Sequence, residues 1–191
     1  MGQWADPRKT PVSAKVKWAD WQLAYRFGAL VVVPPDGLGA EVNAIRGRFD
    51  PVSTAIFGAH VTITPPLAAA PTDAQLGIVA RTVRGFPGSK LTFSPATTFP
   101  NTSVVYLPVE PVEPLGELRA ALLRTGLFAP DDHPDFVPHL TLSEFGADPE
   151  PVLAAAIAAD LAGRSFPLTH VTWIAPDLSF HFVVRRAFPL G

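Results

Sequence analysis

The chain has 191 residues, and its 15 Lys and Arg against 17 Asp and Glu give a formal net charge of −2. This length predicts one domain, or two small halves that share a core. Cysteine is absent, which excludes disulfides, thiolate metal sites and a cysteine nucleophile. The slightly negative net charge argues against DNA as a partner and against binding of long RNA mainly through its phosphates.

No stretch approaches the roughly 20 apolar residues of a membrane helix, so no membrane partner is expected. Charged residues interrupt the first 25 positions, which is not typical of a secretory signal. We therefore expect a cytoplasmic protein that works as a monomer.

The sequence predicts an N-terminal arm at residues 1–25 and a single domain at residues 26–191, in which short strands and helices alternate. Part of the arm is expected to pack on the domain through its tryptophans. Apolar spacing and proline pairs predict strands at residues 27–33, 59–64, 91–94, 104–109, 139–143, 168–174 and 180–187. The same criteria predict helices at residues 38–49, 72–85, 115–124 and 149–162. Interleaving of about seven strands and four helices indicates an α+β or α/β domain of two related halves.

A tripeptide of histidine, an apolar residue and threonine begins at His60 and again at His139, 79 residues later. Side chains alternate across a strand. The histidine and the threonine of each copy therefore share one face, and the apolar residue between them points into the core. Thr64 and Ser143 are expected to extend that polar face. Strands at equivalent places in two similar halves could face each other across a cleft.

Two facing imidazoles suit phosphodiester chemistry. One neutral imidazole can remove a proton from water, while a protonated one can donate a proton to the leaving oxygen. The hydroxyls of Thr62 and Thr141 can donate to the phosphate oxygens. Such chemistry requires neither a metal nor a cofactor, and no spacing in the chain offers a clear zinc or magnesium cage.

The alternative to a catalytic site is that each histidine is a structural residue of its strand and makes an ordinary hydrogen bond. A third copy of the tripeptide, which begins at His170, shows how easily the pattern arises, and we interpret His170 as structural. The spacing of about half the chain between the copies at His60 and His139 favours a shared functional site for these two.

The surroundings of these two copies resemble the 2H phosphoesterase superfamily, which includes 2′-5′ RNA ligase-like and cyclic phosphodiesterase proteins. The resemblance covers about residues 26–187 and rests on Arg26-Phe27-Gly28-Ala29, His60-Val61-Thr62-Ile63, Val104-Val105-Tyr106-Leu107 and Phe136-Val137-Pro138-His139-Leu140-Thr141-Leu142. It implies an α+β, bilobal fold of two ferredoxin-like lobes, related by a pseudo-twofold axis around a central cleft. It also implies metal-independent cleavage of 2′,3′-cyclic phosphates to 2′-phosphates.

Carried over by position, the resemblance makes His60 and His139 the catalytic pair and assigns phosphate binding to Thr62 and Thr141. In hydrolysis, His139 is assigned as the base for water and His60 as the acid for the departing 3′-oxygen.

Many RNA-ligase-like members carry a basic residue just after the second motif, whereas Ser143 and Glu144 stand here. A small nucleotide or a short RNA end with a cyclic phosphate is therefore the expected substrate. Further candidate substrate-binding residues are Phe57, Tyr106, Phe136, Ser143 and Phe145. The helical arginines are predicted to be solvated: Arg46, Arg48, Arg81 and Arg84.

Three other functions stay open. The same cleft could perform reversible 2′-5′ RNA ligation, or the domain could bind nucleotides or RNA without catalysis. The protein could also act through contacts of its tryptophan-rich arm.

Overall fold

The computed structural model describes residues 18–131, 135–145 and 148–191, so most of the predicted arm lies outside the described residues. The helices are α1 Asp20–Ala24, α2 Asp36–Phe49, α3 Pro51–Ile56, α4 Asp73–Arg84, α5 Val112–Leu123 and α6 Glu150–Ala158. The strands are β1 Ala29–Val32, β2 Val61–Thr62, β3 Ser89–Phe93, β4 Thr97–Thr98, β5 Val105–Glu110, β6 His139–Ser143, β7 Ser165–Leu168, β8 His170–Pro176 and β9 Phe182–Pro189.

All strand pairings are antiparallel, and the sheet order is β7-β3-β5-β6-β2-β1-β8-β9, with β4 paired to β5. The β2–β6 pair is the centre of this order: β7, β3, β5 and β6 form one strand set, and β2, β1, β8 and β9 form the other. The predicted α+β fold is therefore confirmed, and its two strand sets meet at the pair that carries both histidine motifs. Neither strand set is one continuous stretch of the chain, because β8 and β9 lie beside β1 and β2 in the sheet although β3 to β7 come between them in sequence.

The predicted strand at residues 168–174 corresponds to β8, but it begins two residues too early, because Leu168 ends a separate strand, β7, that was not predicted. β7 pairs with β3 at one end of the sheet order, whereas β8 pairs with β1 and β9 near the other end. Only Thr169 separates the two strands. The sheet must therefore be curled strongly enough to bring its two ends together.

Four short elements, α1, α3, β4 and β7, were not predicted, and the described residues hold nine strands and six helices rather than about seven and four. The last predicted helix, at residues 149–162, already ends at Ala158, and Asp160 adopts a left-handed backbone with φ of 50°. By contrast, α4 begins after Thr72 as expected, because the Thr72 hydroxyl accepts a hydrogen bond from the backbone N–H of Gln75.

The core lies between the helices and one face of the sheet. Val61 and Leu140 of the central strands are buried in it, together with helical residues Val42, Val79, Val83, Leu115, Leu118, Leu122 and Val152. Burial of each large aliphatic side chain contributes about 1.5–3 kcal/mol. This packing fixes the orientation of β2 and β6.

The start of β1 depends on Gly28, which adopts a φ of 80°. A Cβ at this position would lie 1.7 Å from the carbonyl oxygen of Ile174 in β8. Only glycine allows the two backbones to approach so closely.

The end of the predicted arm is helical in α1. Trp18 and Trp21 pack edge-on against Phe180, with ring centroids 5.3 and 5.1 Å away. The domain boundary at residue 26 stays a prediction. Within the described ranges, no helix combines the length and the apolar character needed to cross a membrane.

Candidate active site

The central strand pair brings the two histidine motifs together. Val61 lies opposite Leu140 in antiparallel register, and both side chains are buried. In that register, the preceding His60 lies across from Thr141, and the following Thr62 lies across from His139. Opposed residues of an antiparallel pair have Cβ atoms about 4.5–5.5 Å apart. Each histidine is therefore beside the threonine of the other motif, on the face turned away from Val61 and Leu140.

Both imidazoles are held in the same way. Nδ1 of His60 lies 2.7 Å from the carbonyl oxygen of Gly58, and Nδ1 of His139 lies 2.7 Å from that of Val137. A carbonyl oxygen only accepts, so Nδ1 carries the proton and donates in each ring. In the neutral imidazoles, Nε2 is therefore left with a lone pair. Both rings are ready to accept a proton at Nε2.

The surroundings keep both rings neutral. Burial is the main cause that lowers the pKa of His60 to about 4; the hydrogen bond to Gly58 opposes it, and the charges of Arg46 and His139 contribute to the lowering. Burial also lowers the pKa of His139. Near pH 7 neither free imidazole carries a proton at Nε2, so an acid role requires a bound anion to raise the pKa of one ring.

The hydroxyls of Thr62 and Thr141 have no hydrogen-bond partner among the residues that the structure describes, so they are free to donate. Thr64 departs from the expected polar face, because it is buried and its hydroxyl accepts from the backbone N–H of Leu30 at 3.1 Å. Ser143 is also buried, at 1% exposure. A register shift in the β5–β6 pairing, between Val105 and Tyr106, lies opposite it.

Aromatic rings flank each histidine. Phe57 lies 5.1 Å from His60 between ring centroids. Tyr106 and Phe99 lie 5.3 and 5.0 Å from His139, and they stack on each other at 4.0 Å. The sequence offered no signal for Phe99, which reaches His139 only because β4 pairs with β5.

The other two candidate phenylalanines are placed differently. Phe136 lies beneath the guanidinium of Arg119, 4.7 Å from its carbon, and Phe145 is 57% exposed. Their part in substrate binding stays a prediction, as does that of Ser143.

Arg46 is not the solvated side chain that the sequence predicted, since only 1% of it is exposed. Its guanidinium donates to the carbonyl oxygen of Thr141, to that of Phe57 at 3.1 Å and to the Ser53 hydroxyl at 3.1 Å. One signal could have revealed it: Arg46 follows the buried Val42 by four residues and thus borders the apolar face of α2.

A second buried arginine, Arg119, reaches from α5 to the first motif. It donates to the carbonyl oxygen of Ile63 at 2.5 Å and pairs with Asp131 at 2.6 Å. Each motif strand is thus braced by an arginine from the helix that precedes the other motif.

Asp50 ties the short helix α3 to the end of the second motif. Its buried carboxylate accepts from the backbone N–H of Ser53 at 3.0 Å, and from those of Glu144 and Phe145 at 2.7 and 3.1 Å. Loss of contact with water and the charge of Asp50 raise the pKa of Glu144. Two carboxyl groups, those of Asp50 and Glu144, therefore lie near each other at the end of the second motif.

We expect Asp50→Ala to lower the free energy of unfolding by about 2–4 kcal/mol, because it removes a helix cap and leaves two further N–H groups without their acceptor. Urea denaturation measures the change. Asp36→Ala is the matched control, since Asp36 is exposed in the first turn of α2. Equal stability of the two variants would contradict the tethering role.

No three His, Asp or Glu side chains converge as metal ligands within the described ranges. Two small cavities, of about 170 and 80 Å³, lie elsewhere: the larger is bordered by Phe86 and Leu118, the smaller by Leu67 and Leu127.

Comparison with known proteins gives matches to one group. The family model of the 2′-5′ RNA ligase superfamily matches residues 34–178. A candidate phosphoesterase of Geobacillus kaustophilus is 30% identical over 118 residues, which cover 59% of this chain and 66% of that protein. A second, from Oceanobacillus iheyensis, is 26% identical over 121 residues, 60% of this chain and 68% of that protein. The chain thus spans just under two thirds of the first relative.

Solved structures share the fold. Escherichia coli LigT complexed with 3′-AMP superimposes with a TM-score of 0.57 at 16% identity, over 86% of this chain and 97% of LigT. A Thermus thermophilus protein gives a TM-score of 0.55 at 15% identity, over 84% of this chain and 96% of that protein.

Proposed function

We propose a function from the fact that this chain belongs to the 2′-5′ RNA ligase superfamily, the 2H phosphoesterases: it hydrolyses 2′,3′-cyclic phosphodiesters of nucleotides or RNA ends to 2′-phosphates. The observation that carries the proposal is the crossed arrangement of the two motifs. Two imidazoles with the same tautomer share one face with two threonine hydroxyls that no described residue engages in a hydrogen bond. The proposed chemistry uses these side chains and requires no metal.

The reaction proceeds as an in-line displacement. The neutral Nε2 of one histidine takes a proton from water, whose oxygen forms a bond to phosphorus. The bond from phosphorus to the 3′-oxygen breaks, and the protonated Nε2 of the other histidine gives its proton to that oxygen. Thr62 and Thr141 donate to the phosphate oxygens, where negative charge increases in the transition state.

The pKa values favour a division of labour opposite to the one expected from sequence. A general acid must hold a proton before the reaction, and His60, with a pKa of about 4, is the harder of the two to protonate in the free enzyme. We therefore assign His60 as the base and His139 as the acid. The negative charge of the bound cyclic phosphate raises the pKa of His139 and loads it with its proton.

This assignment predicts an acidic, bell-shaped dependence of kcat/KM on pH. Activity rises as pH increases through the pKa of His60, about 4, because the base loses its proton. It falls as pH passes the pKa of His139, which lies below its usual value, because the free acid is then empty. Initial rates on 2′,3′-cyclic AMP, in buffers of constant ionic strength, measure the profile. A rising limb near pH 6.5, the usual pKa of histidine, would contradict the assignment.

A small substrate suits the site. Phe57 on one side and Phe99 with Tyr106 on the other offer aromatic surfaces for a nucleobase next to the histidines. The carboxylates of Asp50 and Glu144 disfavour a long polyanion near the end of the second motif. LigT, which shares the fold, has been solved with 3′-AMP, ATP and NADP⁺, and we extend nucleotide binding to this chain as part of the proposal.

The test is hydrolysis of the four nucleoside 2′,3′-cyclic monophosphates in EDTA, with the 2′- and 3′-phosphate products separated. We expect turnover to 2′-phosphates only. Salt-sensitive joining of RNA ends without turnover of mononucleotides would favour the ligase alternative. Nucleotide binding without turnover, unchanged in His60→Ala and His139→Ala, would favour a binding module. Loss of the protein's cellular function on deletion of residues 1–22, with hydrolysis and nucleotide binding unchanged, would favour an interaction protein.

A further inference from the structure

The side chain of Arg46 touches the backbone of both motif regions. One hydrogen bond runs to the carbonyl oxygen of Thr141 in β6, and another runs to that of Phe57, three residues before His60. The ring of Phe57 in turn packs against His60 at 5.1 Å. A shift of the guanidinium would therefore move parts of both motifs relative to each other.

The chemistry of the guanidinium suits this place. Its planar fork of N–H donors can hold two acceptors in a fixed relative orientation, whereas the ammonium of lysine acts as a single point charge. Its Nε–H is buried and has no hydrogen-bond partner among residues 18–131, 135–145 and 148–191. A buried donor without a partner costs stability, so the position of Arg46 is not explained by packing alone.

The arginine also contributes charge. The groups whose fields reach His60 are Arg46 from α2 and His139 from β6. Asp50 and Glu144 act on Arg46 itself. Among the described residues, Arg46 and His139 are the charged groups that act on His60, whereas the buried Arg119 of α5 reaches Ile63 and Asp131.

We propose that Arg46 is a positioning residue for the reaction, which holds His60 and Thr141 in register across the β2–β6 pair and whose fixed positive charge keeps the His60 ring unprotonated, as a base must be. This inference rests on the proposed function. It assigns the residue two separable effects, one geometric and one electrostatic.

The experiment compares Arg46→Met, Arg46→Lys and the matched control Arg119→Met. The pKa of His60 is read by NMR titration of its ring in the free protein, and kcat is read on 2′,3′-cyclic AMP. We expect Arg46→Met to raise the pKa of His60 and to lower kcat about 10- to 100-fold, since small misplacement of reacting groups has effects of this size. Arg46→Lys keeps the charge, so the pKa should stay at the parent value while kcat still falls.

Arg119→Met should leave the pKa of His60 unchanged. The proposal is overturned if Arg46→Met leaves both the pKa and kcat at parent values, or if both methionine variants move the pKa equally, which would indicate a general loosening of the fold. If Arg46→Met does not fold, Arg46→Lys decides: a parent kcat overturns the proposal, and a lower kcat at an unchanged pKa supports it. The titration requires no turnover, so a parent protein without activity refutes the proposed function separately from the placement of Arg46.

Discussion

His60→Ala and His139→Ala should each lower kcat on 2′,3′-cyclic AMP by about 10²- to 10⁴-fold, the usual contribution of one positioned acid or base. Both rings are partly exposed on the sheet face opposite the core. Their removal should therefore leave the far-UV circular dichroism and the thermal unfolding midpoint near those of the parent. Initial rates at saturating substrate measure the loss.

The third copy of the tripeptide provides the control. His170 has the same local sequence, but its Nδ1 lies 2.9 Å from the hydroxyl of the adjacent Thr169, and β8 is separated from β6 by two strands. His170→Ala should retain the parent kcat. A comparable loss in this variant would mean that the tripeptide matters for folding rather than for a site at the β2–β6 pair.

Thr62→Val and Thr141→Val should each lower kcat about 10²- to 10³-fold, as the loss of one donor to a developing oxyanion does in other enzymes. Valine keeps the shape of the side chain and its β-branch, so the strand should be preserved. Neither hydroxyl has a hydrogen-bond partner in the described part of the chain, so no internal bond is lost. Rates on 2′,3′-cyclic AMP measure the effect.

The matched controls are Thr62→Ser and Thr141→Ser, which keep the hydroxyl. They should retain most of the activity. If the valine variants were as active as the serine variants, the threonines would have no part in phosphate binding, and their shared face with the histidines would be incidental.

The sequence could reveal the elements that have a local pattern. The strand predicted at residues 139–143 has those bounds in the structure, and the helix predicted at residues 38–49 differs only by two residues at its start. Alternation in the strands also placed both histidines on the face opposite Val61 and Leu140. Such patterns depend on neighbours in the chain, which a single sequence contains.

What the sequence could not reveal depends on contacts between distant residues. Arg46 meets Thr141 across 95 positions, and Asp50 meets Glu144 across 94. Phe99 reaches the site through the pairing of β4, and a single residue divides β7 from β8 because the sheet is curled. Each of these contacts requires the tertiary fold. The spacing from Val42 places Arg46 beside the apolar face of α2, but it does not identify the carbonyl oxygens to which the guanidinium donates.

The double variant His60→Ala/His139→Ala, measured beside the two single variants, tests most directly whether the two motifs form one acid–base site. Residues that act as a unit lose activity in a strongly non-additive way. We therefore expect kcat of the double variant to be close to that of the single variant with the lower kcat. Losses that multiply, so that the double variant falls by the product of the two single effects, would contradict a single step shared by His60 and His139.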